Sequence, residues 1–145
     1  MSRTPQHDTA WHALARAYSL TRGALETAFK AESLPGLEVF EALHALESAN
    51  QDLTAKALED VLQMPQYGVS RLLDRMEKDG LIKRVAHKSD GRAKLVQMTE
   101  TGRTTLADLA RTRKRALADF FGPRAKPGQL DRMVDLLSLL DTAAD

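Results

Sequence analysis

The side chains best suited to chemistry in this chain are basic and polar, and they concentrate in its middle third. One group recurs at helical spacing and consists of Gln66, Tyr67, Ser70, Arg71 and Arg75. On an exposed helix, arginine bonds the major-groove edge of guanine, glutamine bonds adenine, and hydroxyls bond a phosphate or a base edge. The spacing therefore predicts a helix that reads double-stranded DNA. The alternative is a solvated helix face on which Asp74 and Lys78 form an ion pair.

A second group of charged side chains belongs to a predicted β-hairpin. Residues 81–85 and 94–98 alternate with a period of two, and Asp90-Gly91 between them is a strong turn signal. The tip of the hairpin carries Lys88, Asp90 and Arg92, flanked by Arg84 and Lys94. A narrow minor groove concentrates negative potential and attracts arginine. We expect Arg92 to enter that groove and Asp90 to orient its guanidinium; the alternative is that Asp90 only shapes the turn.

The distribution of charge along the chain supports both assignments. The formal net charge of the whole chain is only +1 at pH 7. Residues 66–103, however, contain nine Lys and Arg against five Asp and Glu, whereas residues 1–65 contain five against nine. This local excess of positive charge favours a polyanionic partner.

Helical periodicity predicts the elements that precede the hairpin. The first helix is expected to run from Asp8, as its N-cap, to Ala31, and the second to end near Asn50. A short third helix, capped by Thr54 or Asp52, is expected to point four side chains inward. These are Ala57, Leu58, Val61 and Leu62.

The fourth predicted helix carries the first group of polar residues. It starts with Pro65 in its first turn and extends to Asp79, and Gly80 is expected to end it with a left-handed backbone. Its buried stripe is Val69, Leu72, Leu73 and Met76. After the hairpin, a long helix is expected from 99–102 through Phe121, and a last helix follows Pro127-Gly128.

The residues of this central region resemble the MarR (multiple antibiotic resistance regulator) family of bacterial repressors. The resemblance rests on Leu53-Thr54, Leu58, Leu62, Val69-Ser70-Arg71-Leu72, Asp74-Arg75-Met76-Glu77-Lys78, Gly80-Leu81-Ile82-Lys83-Arg84, Asp90-x-Arg92, Leu95 and Thr99. The hydrophobic spacing alone is weakly specific. The combination of Ser-Arg-Leu, Gly-Leu-Ile and the Asp-x-Arg hairpin is quite specific, and the flanking helices match in number and order.

The resemblance implies a mainly α (α+β) fold, a winged helix-turn-helix with long N- and C-terminal dimerisation helices. It implies one domain over residues 1–145, with the DNA-binding segment at 34–100 and the dimerisation helices at 1–33 and 101–145. Two recognition helices of a homodimer would enter successive major grooves of a pseudo-palindromic operator. The sequence departs from the family pattern at Gln63, commonly Gly, at Pro65, usually a capping Ser, and at Tyr67 and Gly68, usually a small polar pair.

The resemblance also implies a small anionic or aromatic effector, bound between the dimerisation helices and the DNA-binding segment. The candidate effector-binding side chains are Trp11, His12, Arg16 and His44. The alternative for each histidine is a satisfied residue on a largely apolar helix face.

The sequence lacks the residues and motifs typical of enzymes, metal sites and cofactor sites. The chain contains no cysteine, which excludes disulfides, thiolate catalysis and cysteine-ligated zinc. Its four histidines have no metal-ligand spacing, and no nucleophile elbow or Gly-rich phosphate loop is present. We therefore expect no enzyme activity, no metal and no cofactor. No apolar run approaches the roughly 20 residues of a membrane span, and the N-terminus lacks a secretory signal. The expected location is cytoplasmic.

The sequence thus predicts a sequence-specific, dimeric, DNA-binding transcriptional regulator, a repressor that a small-molecule effector releases from DNA. Two alternatives stay open at this stage. One is a winged-helix protein-interaction module, and the other is a small-ligand-binding protein without DNA binding. The positive charge around Arg92 favours DNA, whereas the departures at Gln63, Pro65 and Gly68 are the only support for the alternatives.

Overall fold

The fold is that of a computed structural model, which describes residues 6–87, 89 and 93–142. Within these ranges the chain forms six α-helices and a small antiparallel sheet. The helices are α1 (His7–Ala31), α2 (Leu37–Ser48), α3 (Ala55–Leu62), α4 (Gln66–Lys78), α5 (Glu100–Phe121) and α6 (Pro127–Ser138). The strands are β1 (Leu53–Thr54), β2 (Ile82–Ala86) and β3 (Lys94–Met98). The predicted fold class, a mainly helical winged helix-turn-helix, is confirmed.

The three strands are ordered β1-β3-β2, and both pairs are antiparallel. Residue Val96 of β3 lies opposite Arg84 on one side and Leu53 on the other. Strand β1 was not among the predicted elements, because two residues are too few to show a period of two. It leads directly into α3 and so brings that helix beside the hairpin.

Helix α1 starts slightly earlier than predicted and is buried only in its second half. Its N-cap is Gln6, so the expectation that Asp8 caps the helix is wrong. Asp8 lies in the first turn instead, where a carboxylate interacts favourably with the helix dipole. Towards the C-terminus, Leu25 and Phe29 are buried, and the Phe29 ring packs at a centroid distance of 6.5 Å from Phe40 of α2.

Helix α3 has the predicted cap and one unexpected exposed residue. The Thr54 hydroxyl accepts a hydrogen bond from the Ala57 backbone N–H at 3.1 Å, which confirms Thr54 as the N-cap. The Asp52 carboxylate instead accepts from Gln97 Nε2 at 2.8 Å. Leu58 is fully buried, but Val61 is 58% exposed, so the prediction that Val61 points inward is wrong. Val61 lines a surface cleft described below.

One hydrophobic core joins the central segment, residues 34–100, to the long helices. Its buried residues come from the second half of α1, from α2, α3 and α4, from the sheet, and from α5 between Leu106 and Ala116. The largest of those that are less than 2% exposed are Phe29, Leu43, Leu58, Leu72, Leu73, Met76 and Leu109. Because α4 contributes four buried side chains to this core, its position relative to the rest of the chain is set by packing.

A close contact fixes the hairpin to the start of α5. The Thr99 hydroxyl donates to the Gly80 carbonyl at 2.6 Å and accepts from the Gly102 N–H at 3.0 Å. Gly102 is buried, and a Cβ at this position would lie 2.2 Å from the Leu81 carbonyl oxygen. The helix therefore approaches the strand more closely than any side chain would permit.

The first half of α1 and the whole of α6 lie outside this core and are mostly exposed. No residue of α6 is buried, and Trp11, Leu14 and Tyr18 on α1 are exposed. Among the described residues, no helix combines the length and the hydrophobicity that crossing a membrane requires.

Candidate nucleic-acid interface

The turn between α3 and α4 contains a strained residue. Gln63 has φ 54° and ψ 42°, a left-handed backbone that costs a residue with a Cβ about 1 kcal/mol or more. Its side chain donates from Nε2 to the Asp60 carbonyl at 2.7 Å, and the Met64 N–H donates to the Glu59 carbonyl at 3.2 Å. The departure from glycine at this position thus leaves the turn geometry intact.

Helix α4 begins after Pro65, ends before Gly80 and buries one face. Pro65 is the N-cap, with ψ 158°, and not a first-turn residue as predicted. At the other end the backbone of Gly80 is left-handed (φ 75°), and the Leu81 N–H donates to the Met76 carbonyl at 2.9 Å. The predicted buried stripe is confirmed, since Val69, Leu72, Leu73 and Met76 are all buried.

The outer face of α4 carries the predicted polar residues together. Gln66, Tyr67, Ser70 and Arg71 are exposed, and the Tyr67 side chain is 69% exposed at the N-terminal end. No ion pair joins Arg71 to any other residue that the structure describes. Arg75 is also exposed, but its Nη2 lies 3.8 Å from Glu38 Oε2, which draws it towards α2.

The hairpin has the predicted strands, and its tip is outside the described residues. Strands β2 and β3 pair from Ile82–Met98 to Ala86–Lys94, and the His87 N–H extends the ladder by donating to the Ala93 carbonyl at 3.0 Å. Lys88, Asp90 and Arg92 fall outside the ranges that the structure describes. Their assignment to the minor groove therefore stays a prediction from sequence.

Of the two residues that flank the tip, only Lys94 is exposed. The Arg84 side chain turns towards α4, where its guanidinium bonds Asp74 and its Nε lies 3.5 Å from Glu77 Oε2. The partner of Asp74 is thus Arg84, and not Lys78 as in the alternative considered for a solvated helix face. Sequence reasoning grouped Arg84 with the DNA-facing charges. Its spacing of two from buried Ile82 was the signal that it lies on the inner face of the strand.

A cleft of about 740 Å³ opens between the first helix and the central segment, residues 34–100. Its walls come from α1, α2, α3 and the turn that follows α3, and they include Tyr18, Arg22, Glu38, Glu41 and His44. Arg22 Nη1 donates to the Tyr18 hydroxyl at 3.1 Å. This hydrogen bond is the main reason why the pKa of Arg22 is raised above its ordinary value. The His44 ring stacks on Phe40 at a centroid distance of 5.7 Å.

The cleft includes only one of the four candidate effector-binding residues. His44 lines it, whereas Trp11, His12 and Arg16 are exposed on the first half of α1 and do not contribute to its walls in this chain. Tyr18 and Arg22, which also line the cleft, were not among the candidate residues. Their i, i+4 spacing, which places an aromatic hydroxyl and a guanidinium on one face, was the available signal. Among the described residues, no group of three or more His, Asp or Glu is arranged to hold a metal ion.

Comparison with known proteins bears on the central segment and on the fold. The sequence model of the MarR family matches residues 34–93. No curated protein sequence matches the chain. AbsC, a MarR family transcriptional regulator from Streptomyces coelicolor, has a similar structure, with a TM-score of 0.80 and 20% identity over 97% of this chain and 95% of its own.

Two further solved structures have the same fold. BpsR from Bordetella bronchiseptica, whose DNA binding is regulated by 6-hydroxynicotinic acid, has a TM-score of 0.80 and 20% identity over 92% of this chain and 99% of its own. A second MarR family regulator from Streptomyces coelicolor, solved in complex with DNA, has a TM-score of 0.78 and 20% identity over 97% of this chain and 89% of its own. The resemblance to the MarR family is therefore confirmed, by sequence across residues 34–93 and by fold across almost the whole chain.

Proposed function

We propose that this chain is a sequence-specific DNA-binding transcriptional regulator that inserts α4 into the major groove. The observation that carries the proposal is the division of α4 into two faces. Four apolar side chains anchor the helix in the core, and Gln66, Ser70 and Arg71 point away from it at the N-terminal end. Exposed residues at that end of a recognition helix are the ones that reach base edges. The DNA complex of a protein with the same fold supports this assignment.

The hairpin completes the proposed interface. Its strand β2 lies beside α4, and its tip carries Lys88, Asp90 and Arg92 in the sequence. We assign Arg92 to the adjacent minor groove and Lys88 to the phosphate backbone. This assignment rests on residue type and on the position of the strands.

The proposed regulator acts as a homodimer on a pseudo-palindromic operator. Both α1 and α6 carry several large apolar side chains that are exposed in one copy of the chain, and clustered exposed apolar residues are typical of an interaction surface. They are Trp11, Leu14 and Tyr18 on the first helix and Met133, Val134, Leu136 and Leu137 on the last. A second copy of the chain is the proposed cover for this surface, because two-fold symmetry would place two α4 helices on one face of the DNA.

The 740 Å³ cleft is the proposed effector site, and effector binding there is proposed to release the repressor from DNA. The guanidinium of Arg22, the Tyr18 hydroxyl and the His44 ring suit a small anionic or aromatic molecule. BpsR, with the same fold, responds to such a molecule. Since the function needs no reaction, we also propose that the chain is not an enzyme and acts in the cytoplasm, where its DNA is.

Selection of fragments from random DNA by the purified protein tests the proposed function. We expect enrichment of one pseudo-palindromic sequence. For that sequence, the logarithm of the binding constant should fall linearly with the logarithm of the salt concentration, by about 0.9 per phosphate contact. A protein that enriches no sequence and shows no salt-dependent affinity would instead be an interaction module or a ligand-binding protein. Binding of aromatic carboxylates without DNA binding would favour the latter.

A further inference from the structure

Arg84 occupies an unusual place for a cation next to the proposed DNA interface. Its side chain is only 23% exposed, and it lies in the space between β2 and α4. The guanidinium donates from Nη2 to Asp74 Oδ1, and its Nε lies 3.5 Å from Glu77 Oε2. The Nε is buried and has no hydrogen-bond partner among the described residues, so the contact with Glu77 is an ion pair alone.

Both carboxylates belong to α4, and both remain exposed. The Asp74 side chain is 67% exposed and the Glu77 side chain 47% exposed. Asp74 follows Ser70 by one helical turn on the same side as Arg71, so its carboxylate lies within the face assigned to DNA. An uncompensated carboxylate there would repel phosphates. Arg84 supplies the compensating positive charge from β2, which packs against α4.

The strand register explains why Arg84, and not a neighbour, makes these contacts. Side chains alternate across a strand, so Arg84 shares a face with Ile82, which is 2% exposed and packs into the core. Lys83, on the opposite face, is exposed. Because Arg84 pairs with Val96 at the middle of the two paired strands, a bond from Arg84 to α4 connects that helix to the strands of the hairpin.

We infer that Arg84 is a positioning residue, which holds α4 against the hairpin and neutralises Asp74, and that it does not contact DNA phosphate. The Arg84 guanidinium is turned towards two carboxylates of α4, and the side chain is only 23% exposed, so little of it is accessible to a phosphate. The inference rests on the proposed DNA-binding function. According to this inference, Arg84 keeps α4, proposed for the major groove, at a constant distance from the hairpin, proposed for the minor groove.

A charge-matched pair of double variants tests this inference with the selected operator DNA. We expect Arg84→Gln to weaken binding by about tenfold, because Asp74 is left uncompensated beside the phosphates. Adding Asp74→Asn restores the wild-type net charge and removes that carboxylate, so affinity should return to within about threefold of wild type. The loss that remains is the contribution of the bond that holds α4 to the hairpin, which this double variant still lacks. The control is Arg84→Gln with Asp79→Asn. This protein has the same net charge, but the exposed carboxylate it loses is not bonded to Arg84 among the described residues, and it should stay weak.

Other outcomes separate the possible failures. If Arg84 contacts phosphate, both double variants stay equally weak, and each has a salt dependence lower by about 0.9 than wild type. That result overturns the inference and leaves the proposed function in place. Wild-type protein that binds no DNA overturns both. If circular dichroism shows that Arg84→Gln is unfolded, Arg84→Lys replaces it. A lysine at this position keeps a positive charge that could contact phosphate, but it cannot bond Asp74 and Glu77 as the guanidinium does. Weakened DNA binding by Arg84→Lys therefore supports the positioning role, and unchanged binding contradicts it.

Discussion

Arg71 is the residue on which sequence discrimination should depend most. It is exposed on the outer face of α4, and no ion pair holds it to another described residue. A bidentate contact with guanine distinguishes the correct base by about 1–3 kcal/mol. We therefore expect Arg71→Ala to lose about 1–3 kcal/mol on the selected operator and to relax the preference at one base pair in each half-site.

The measurement is a comparison of operator and scrambled DNA by fluorescence anisotropy. Arg111→Ala is the control, because Arg111 is an equally exposed arginine that pairs with Asp108 on α5, away from the proposed interface. Equal weakening of Arg71→Ala on both DNA sequences would make Arg71 a phosphate contact and contradict a specific role.

Arg92 and Asp90 at the hairpin tip yield a prediction in which two physical effects have opposite signs. Arg92→Ala should weaken binding and lower the salt dependence by about one unit, since one phosphate-neutralising cation is lost. Removing the Asp90 carboxylate should strengthen binding if repulsion dominates. It should weaken binding by about 0.5–1.5 kcal/mol if Asp90 orders the Arg92 side chain before association. We expect weakening.

Asp79→Ala is the matched control for Asp90→Ala, because Asp79 is an exposed carboxylate at the end of α4 and not in the hairpin. Its removal should leave affinity unchanged or raise it slightly. An Asp90→Ala protein that binds the operator as tightly as the Asp79→Ala protein would limit Asp90 to a role in the turn.

At the scale of elements, the approach of α5 to the hairpin depends on a missing side chain. A Cβ at Gly102 would lie 2.2 Å from the Leu81 carbonyl oxygen and 2.8 Å from Met98 Cγ. Gly102→Ala should therefore lower the free energy of unfolding by about 1–3 kcal/mol, because overpacking forces the helix away from the strand. Gly23→Ala on α1 is the control, since nothing lies within 4 Å of its added Cβ. It should stabilise by about 0.5–1 kcal/mol. Urea denaturation measures the free energy of unfolding of both variants. An unchanged free energy in Gly102→Ala would contradict the close approach of α5 to Leu81.

The junction of α1 and α5 should depend on pH. The Glu32 carboxylate, just after α1, accepts hydrogen bonds from the buried Thr112 hydroxyl and from Arg115. These bonds, the one from Thr112 first, lower the pKa of Glu32 below its ordinary value of 4.5. Because the pKa is lowered on folding, the stabilisation is complete above pH 4.5 and is lost as the pH falls through the folded-state pKa.

Glu32→Gln should therefore unfold at lower urea concentration than wild type near neutral pH, and the difference should shrink below pH 4.5. Glu47→Gln serves as the control, because Glu47 is exposed on α2 and makes no ion pair with another described residue. A Glu32→Gln deficit that is constant from pH 7 to below 4 would show that the packing, and not the charge, of Glu32 matters at this junction.

At the scale of the whole molecule, the exposed apolar surface of α1 and α6 predicts assembly. Leu14 and Leu20 both lie on α1, exposed by 38% and 51%, but they lie on different faces of the helix. Leu14 shares its face with Trp11 and Tyr18. Leu14→Asp should convert a dimer to monomer at micromolar concentration and weaken operator binding, because each half-site is then bound alone. Leu20→Asp should remain dimeric. Light scattering checks both, and a monomeric wild-type protein would contradict the proposed assembly.

By itself the sequence determined the order of the six helices and of the hairpin, though not strand β1, and the division of α4 into two faces. Local signals were sufficient there: the spacing of Val69, Leu72, Leu73 and Met76, the left-handed position of Gly80 and the period of two in the strands all act within a few residues. The cap of α3 was narrowed to Thr54 or Asp52 by residue type, and the structure assigned it to Thr54.

Only the tertiary structure decided which side chains meet across elements. Arg84 could not be separated from the cations predicted to face DNA, because only the packing of α4 against β2 brings Asp74 to it. The cleft likewise includes Tyr18 and Arg22, and not Trp11 or His12, because the packing of Leu25 and Phe29 sets the rotation of α1 and where it meets α2. Such contacts join residues distant in the chain, and helical periodicity specifies a face but not its neighbour.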